Sequence, residues 1–255
     1  MSRPLNDTLV IAERSLLRPT RSPDLLIGFT IQPIMFVLLF VYVFGGAIST
    51  PGFADYATFM IPGILVQHIA FGGFVTALAL AEDMNKGLID RFRSLPMSRS
   101  SVLAGRAVAD VVTNLLSIIV LVITGLIVGF SFNASFLEAL AGVGLLLLFG
   151  FASSMAFALL GMSVSSPEAA NGIGFTLIFP LTFLSSAFVP TESMPDGLRH
   201  FAEANPVSAI VDALRALWLG TPAGNSIWLA VVWSLVLLAI FAPLAVRKYR
   251  SSTSH

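Results

Sequence analysis

Apolar residues fall into six long stretches, and short polar segments separate them. A helix rises 1.5 Å per residue and the hydrocarbon core of a bilayer is about 30 Å thick, so a crossing needs about 20 mostly apolar residues. The stretches Leu25–Phe44, Ala57–Leu80, Val108–Phe130, Ala139–Gly161, Gly172–Phe188 and Ile227–Val246 meet that requirement, the fifth being the shortest. The pattern predicts an all-α integral membrane protein with six transmembrane helices in one domain, 1–255. A front segment (1–24) precedes spans one to five (25–188), which contain a polar loop at 82–106. A second polar segment (189–225), span six (226–246) and a tail (247–255) follow.

The polar segments carry patterns of their own. In the front segment Leu5, Leu9, Ala12 and Leu16 recur at helical spacing, with Asn6 or Asp7 at the start and Pro19 as a stop. Such a helix, followed by Arg18 and Arg21, suits the inner membrane surface, with its apolar stripe in the acyl boundary. The loop at 82–106 is the most charged part of the chain. Gly87 and Pro96 bracket a short helix on which Leu88, Phe92 and Leu95 share one face, with Asp90, Arg91 and Arg93 around it. The arrangement is either an apolar ridge for a socket on another protein or a solvated positive loop. The segment 189–225 is too long for a plain connector and holds Pro190, Pro195, Pro206 and Pro222. It predicts two short helices, with Ile210, Leu214, Leu217 and Trp218 as an apolar stripe and with Trp218 and Trp228 suited to the headgroup level. This segment is either a re-entrant or interfacial hairpin over a pathway, or a passive cap.

Composition agrees with a bilayer environment: 56% of the residues are hydrophobic and 11% charged, against about 25% charged in an ordinary soluble domain. Lys and Arg balance Asp and Glu at 14 each, so no overall field favours nucleic acid, and the signal lies in where the charges sit. With six spans and both termini cytoplasmic, twelve of the fourteen Lys and Arg residues face inward. Only Arg199 and Arg215, in segment 189–225, face outward. The first apolar stretch has no A-x-A-like cleavage site, which argues against a removable signal peptide.

No phosphate loop, dinucleotide fingerprint, zinc-protease motif or nucleophile elbow occurs. The chain has no cysteine, and its three histidines are scattered, so spacing offers no catalytic group, metal site or cofactor. Polar residues within spans are costly and become candidates for a transport path: Gln32, Gln67, His68 and Asn114, with Asp110 nearer the inner boundary. For Gln67 and His68 the alternative is an interhelical hydrogen bond that serves packing. No acid stands at mid-depth of a span, which disfavours a proton-coupled carrier and favours transport powered from outside the chain. Pro33, Pro62 and Pro180 lie within spans and permit kinks.

Three blocks resemble the ABC-2 type permeases, in the daunorubicin/doxorubicin-resistance-like branch. They are Glu82-Asp83-x-x-Lys86-Gly87 running into Asp90-Arg91-Phe92-Arg93-Ser94-x-Pro96; Phe188-Val189-Pro190 with Met194-Pro195; and Asn205-Pro206-Val207 with Asp212-Ala213-x-Arg215. The resemblance implies a permease subunit, in a homodimer or heterodimer, that docks a cytoplasmic ABC ATPase in the plasma membrane of a bacterium. ATP and magnesium would be bound by that ATPase. It implies that Glu82, Asp83, Gly87, Leu88, Asp90, Arg91, Phe92, Arg93, Leu95 and Pro96 form the coupling element. It also implies an outer gate around Val189, Pro190, Met194, Pro195, Asn205, Pro206 and Arg215. The expected activity is export of a lipophilic or amphiphilic compound, drug-like or lipid-like. Export of polysaccharide or glycolipid, an ion-coupled carrier and a non-transporting scaffold are the alternatives.

Overall fold

The computed structural model describes residues 10–13, 23–46, 48, 50, 52–53, 55–87 and 101–251. Among these residues every regular element is helical. In chain order they are α1 (Pro23–Leu39), continued by a π-helical turn (Phe40–Phe44), α2 (Tyr56–Asn85), α3 (Ser101–Ile127), α4 (Phe136–Gly161) and α5 (Pro167–Phe183). A 3-10 turn (Thr191–Ser193), α6 (Asp196–Ala204), α7 (Pro206–Leu219) and α8 (Ser226–Ser251) complete the chain. Residues 10–13 are also helical, and Ile11 and Ala12 are buried. The other positions of the predicted front helix and the predicted coupling helix at 88–96 lie outside the described residues.

Helix starts follow local chemistry. Asp55 accepts from Thr58 N at 2.6 Å and caps α2. Ser135 and Glu138 form a reciprocal capping box on α4. Ser166 caps α5, with Pro167 at the first helical position, and Asn205 with Pro206 does the same for α7. Gly220, at φ 68°, ends α7 in the left-handed conformation that glycine adopts without penalty.

Four helical stretches are long and apolar enough to cross a membrane: Tyr56–Asn85, Ala104–Ile127, Phe136–Gly161 and Ser226–Ser251. The apolar stretch Ile31–Phe44 is shorter, and α5 has 17 residues. Where the sequence pattern places span five at Gly172–Phe188, the helix starts at Pro167 and stops at Phe183, and the chain is irregular from Leu184 to Pro190. Asn205 explains the early stop: its Nδ2 donates to Leu181 O at 2.7 Å and Leu184 O at 2.9 Å, supplying partners that further helical turns would otherwise provide.

The core is organised around α2. Met60, Ile64, Leu65, Val66 and Ile69 of this helix are almost fully enclosed. Three neighbours approach it closely because glycines leave room. A methyl group on Gly63 would collide with the Ala187 carbonyl, and one on Gly161 of α4 would collide with the Ala77 backbone. Gly174 of α5 lies against the Phe74 ring. The exposed apolar side chains of α3, among them Leu116, Ile119, Ile123 and Ile127, form a continuous outward face, as expected where lipid is the solvent.

Candidate functional site

The helix directions put the α6–α7 hairpin at one end of the molecule and the last turn of α2 with the start of α3 at the other. Polar chemistry concentrates at both ends.

At the hairpin end, Arg215 of α7 is 4% exposed. Its Nε and Nη2 donate to Phe59 O at 3.1 and 2.9 Å, and Nη2 also reaches Ser186 O at 2.9 Å and Ala187 O at 3.3 Å. Nη1 meets Asp212 Oδ1 at 3.1 Å, and the guanidinium carbon lies 3.7 Å from the centroid of the Phe59 ring. A buried charge persists only where it is paired and hydrogen-bonded, and Arg215 meets that condition by drawing on α2 and on the segment after α5. The same segment is tied further to α7: Ser186 N donates to Ser208 Oγ at 2.9 Å, and Ser186 Oγ donates to Asp212 at 2.8 Å. Tyr56 OH donates to Phe188 O at 3.2 Å. Phe188 stacks on Phe40 of the π turn and on Phe183 of α5, at centroid distances of 4.9 and 5.0 Å. Asn205, Arg215 and Phe188-Val189-Pro190 are thereby gathered in one joint, with Val189 and Pro190 half-buried. Met194 and Pro195 stand apart at the start of α6, half-buried and exposed respectively.

Trp218 departs from the headgroup position expected of it. It is 1% exposed, its Nε1 donates to Ala139 O at 3.2 Å, and its ring fills the space left by Gly142. Its indole also floors an open apolar groove of about 270 Å³ lined by Ile119, Ile123, Phe136 and Leu140. Trp228 is 70% exposed.

At the loop end, Asp83 of α2 and Arg106 of α3 form an ion pair at 3.3 Å, with side chains 12% and 15% exposed. Thr76 Oγ1 donates to Asp110 Oδ2 at 2.9 Å one step deeper. Glu82 of α2 pairs with Lys86, which follows the last helical residue, and Gly87 takes φ 64° as the chain leaves the helix. Leu88, Asp90, Arg91, Phe92, Arg93, Leu95 and Pro96 lie outside the described residues.

Of the polar residues expected along a path, Gln67 is buried and His68 half-buried on α2. Asn114 is buried between Gly72 and Gly150, at the junction of α2, α3 and α4, about a turn from the two α2 residues. Gln32 is on the exposed side of α1 and apart from them. Pattern reading missed the partners of Arg215 in other segments, namely Phe59, Ser186 and Ala187, and the Tyr56 and Ser208 bonds that hold the same segment. Only the i, i+3 spacing of Asp212 and Arg215 signals that network. Among the described residues no group of three or more His, Asp or Glu is arranged to hold a metal ion.

The ABC-2 type transporter family model matches residues 6–219. The chain is 35% identical over 248 residues to the daunorubicin resistance ABC transporter permease protein DrrB1 of Streptomyces coeruleorubidus, covering 97% of this chain and 87% of that protein. It is 25% identical over 247 residues to the probable doxorubicin resistance ABC transporter permease protein DrrC of Mycobacterium tuberculosis, covering 96% and 89%. To the probable multidrug ABC transporter permease YbhR of Escherichia coli it is 23% identical over 198 residues, covering 77% and 53%. With several apolar helices, a family match over 6–219 and near full-length similarity to a drug-resistance permease, the chain belongs to the ABC-2 type transporter family as a membrane permease of its daunorubicin-resistance-like branch.

Proposed function

We propose that this permease exports a lipophilic or amphiphilic, drug-like compound with energy from ATP hydrolysed by a separate cytoplasmic ATPase. The observation that carries this reading is the near full-length similarity to a permease named for daunorubicin resistance. The polar segment 82–106 docks in the ATPase through Leu88, Phe92 and Leu95, and the α6–α7 hairpin covers the outer end of the path. The chain crosses a bacterial plasma membrane six times, with α1 and α5 as the two shorter crossings and both termini in the cytoplasm. It works as a pair with a second copy or a related permease. Gln67 and His68 supply polar positions along an otherwise apolar route.

ATP does work here only by binding one arrangement of the complex better than another, since equal affinity shifts no population. Closure of the ATPase therefore favours one tilt of the helices through the loop. The test is co-expression with the partner ATPase and measurement of daunorubicin uptake into inverted membrane vesicles. Uptake that requires ATP, with the ATPase co-purifying in mild detergent, is the expected result. Uptake without ATP would instead identify an ion-coupled carrier, and a deletion that alters surface glycolipid with drug export intact would identify a lipid or polysaccharide exporter.

A further inference from the structure

The contacts between α2 and α3 form a seam in fixed antiparallel register. Thr76 meets Asp110, Gly72 meets Asn114 and Ile61 meets Gly125. A step of four residues along α2 is thus answered by four along α3, and a step of eleven by eleven. Four and eleven residues are each close to whole helical turns, so all three contacts lie on a single face of each helix. Arg106, with its long side chain, adds the contact nearest the loop by reaching Asp83. The seam is polar at its loop end and apolar at the hairpin end, where the Ile61 side chain sits 3.2 Å from the position a Gly125 Cβ would occupy.

Desolvation takes back most of what a buried ion pair gains, so such a pair adds little net stability; its best-attested use is to fix register. Two antiparallel apolar helices have no strong preference among neighbouring registers. A paired charge and a hydrogen-bonded carboxylate favour one, because any slip breaks the Asp83–Arg106 pair and the Thr76–Asp110 hydrogen bond. Asp83–Arg106 is also, among the described residues, the ion pair that joins two helices; the others that the contacts reveal lie at the end of α2 and within α6 and α7.

Resting on the export reading above, we infer that Asp83–Arg106 and Thr76–Asp110 clamp α2 and α3 into one lever that stays closed through the transport cycle. These four residues position the coupling loop, and cargo passes elsewhere than between α2 and α3. In this reading Asn114 serves the seam.

Two variants in the native, cysteine-free chain test the lever in vesicles containing the partner ATPase. In Ile61→Cys/Gly125→Cys, at the hairpin end of the seam and outside the four clamp residues, oxidation cross-links the helices, and daunorubicin uptake stays equal to that of the reduced protein. Uptake that vanishes on oxidation and returns on reduction, or a pair that never cross-links, would overturn the inference. In the second variant, Arg106→Asp lowers daunorubicin moved per ATP hydrolysed by about tenfold, and adding Asp83→Arg restores the ratio. That ratio does not depend on how many copies fold, so failure of the swap to rescue would remove the ion pair from the lever. Parent vesicles with no ATP-dependent uptake would defeat the export reading and the lever together. Active parent vesicles with either failure would defeat the lever alone.

Discussion

A guanidinium offers five N–H donors in a rigid fork, and at Arg215 they are spread over carbonyls from two distant segments and over the carboxylate one turn away. Replacing Arg215 by Met removes every one of those bonds and strands the carbonyls of Ser186 and Ala187. We expect Arg215→Met to cost about 3 kcal/mol or more, as when one partner is taken from a buried pair. Arg215→Lys should fall between the two, because an ammonium cannot reach three segments at once. Unfolding in detergent, followed by tryptophan fluorescence, measures the loss, and unchanged stability would deny Arg215 its anchoring role. The sequence marked Arg215 as part of an outer motif yet counted it as a surface charge. Its burial was not legible because Phe59, its principal acceptor, stands 156 residues away. Trp218 misleads for the same reason: nothing local announces that Gly142 of another helix makes room for its indole.

Among the elements, helices were the most legible feature and their ends the least. Hydropathy located α2, α3, α4 and α8, with ends up to seven residues from those of the helices. It missed the start of α5, although Ser166-Pro167 is a local start signal, and it missed the end because Asn205 caps that helix from outside. Pro243 inside α8 escaped notice beside Pro33, Pro62 and Pro180. The loop after α2 carries a prediction of its own. If Leu88 and Phe92 form the docking ridge, placing Asp at both positions buries charge against the ATPase, which should reduce co-purification about tenfold or more. Insertion of the permease, followed by a C-terminal tag in washed membranes, should not change. ATPase recovery equal to that of the parent would refute the docking role.

For the molecule as a whole, the distribution of Lys and Arg gives an orientation that the absence of cysteine makes easy to test. Gly197→Cys on α6, where an added side chain meets open space, should react with an impermeant maleimide on intact cells. Lys248→Cys, in the last turn of α8, should react only after permeabilisation. The opposite pattern would invert the topology and put the charged loop on the wrong side for any cytoplasmic motor. Charge counting supplies this orientation as an expectation, but no sequence signal revealed that one end is riveted by Arg215 and the other by Asp83 and Arg106, since both joints are built across helices. The rivet at Arg215 also bears on how the protein is made. Its carbonyl acceptors, at positions 59, 186 and 187, all leave the ribosome before residue 215 does. The socket is synthesised ahead of its key, so the hairpin seats only after both halves of that socket exist, and a chain truncated before residue 215 leaves those carbonyls without the guanidinium.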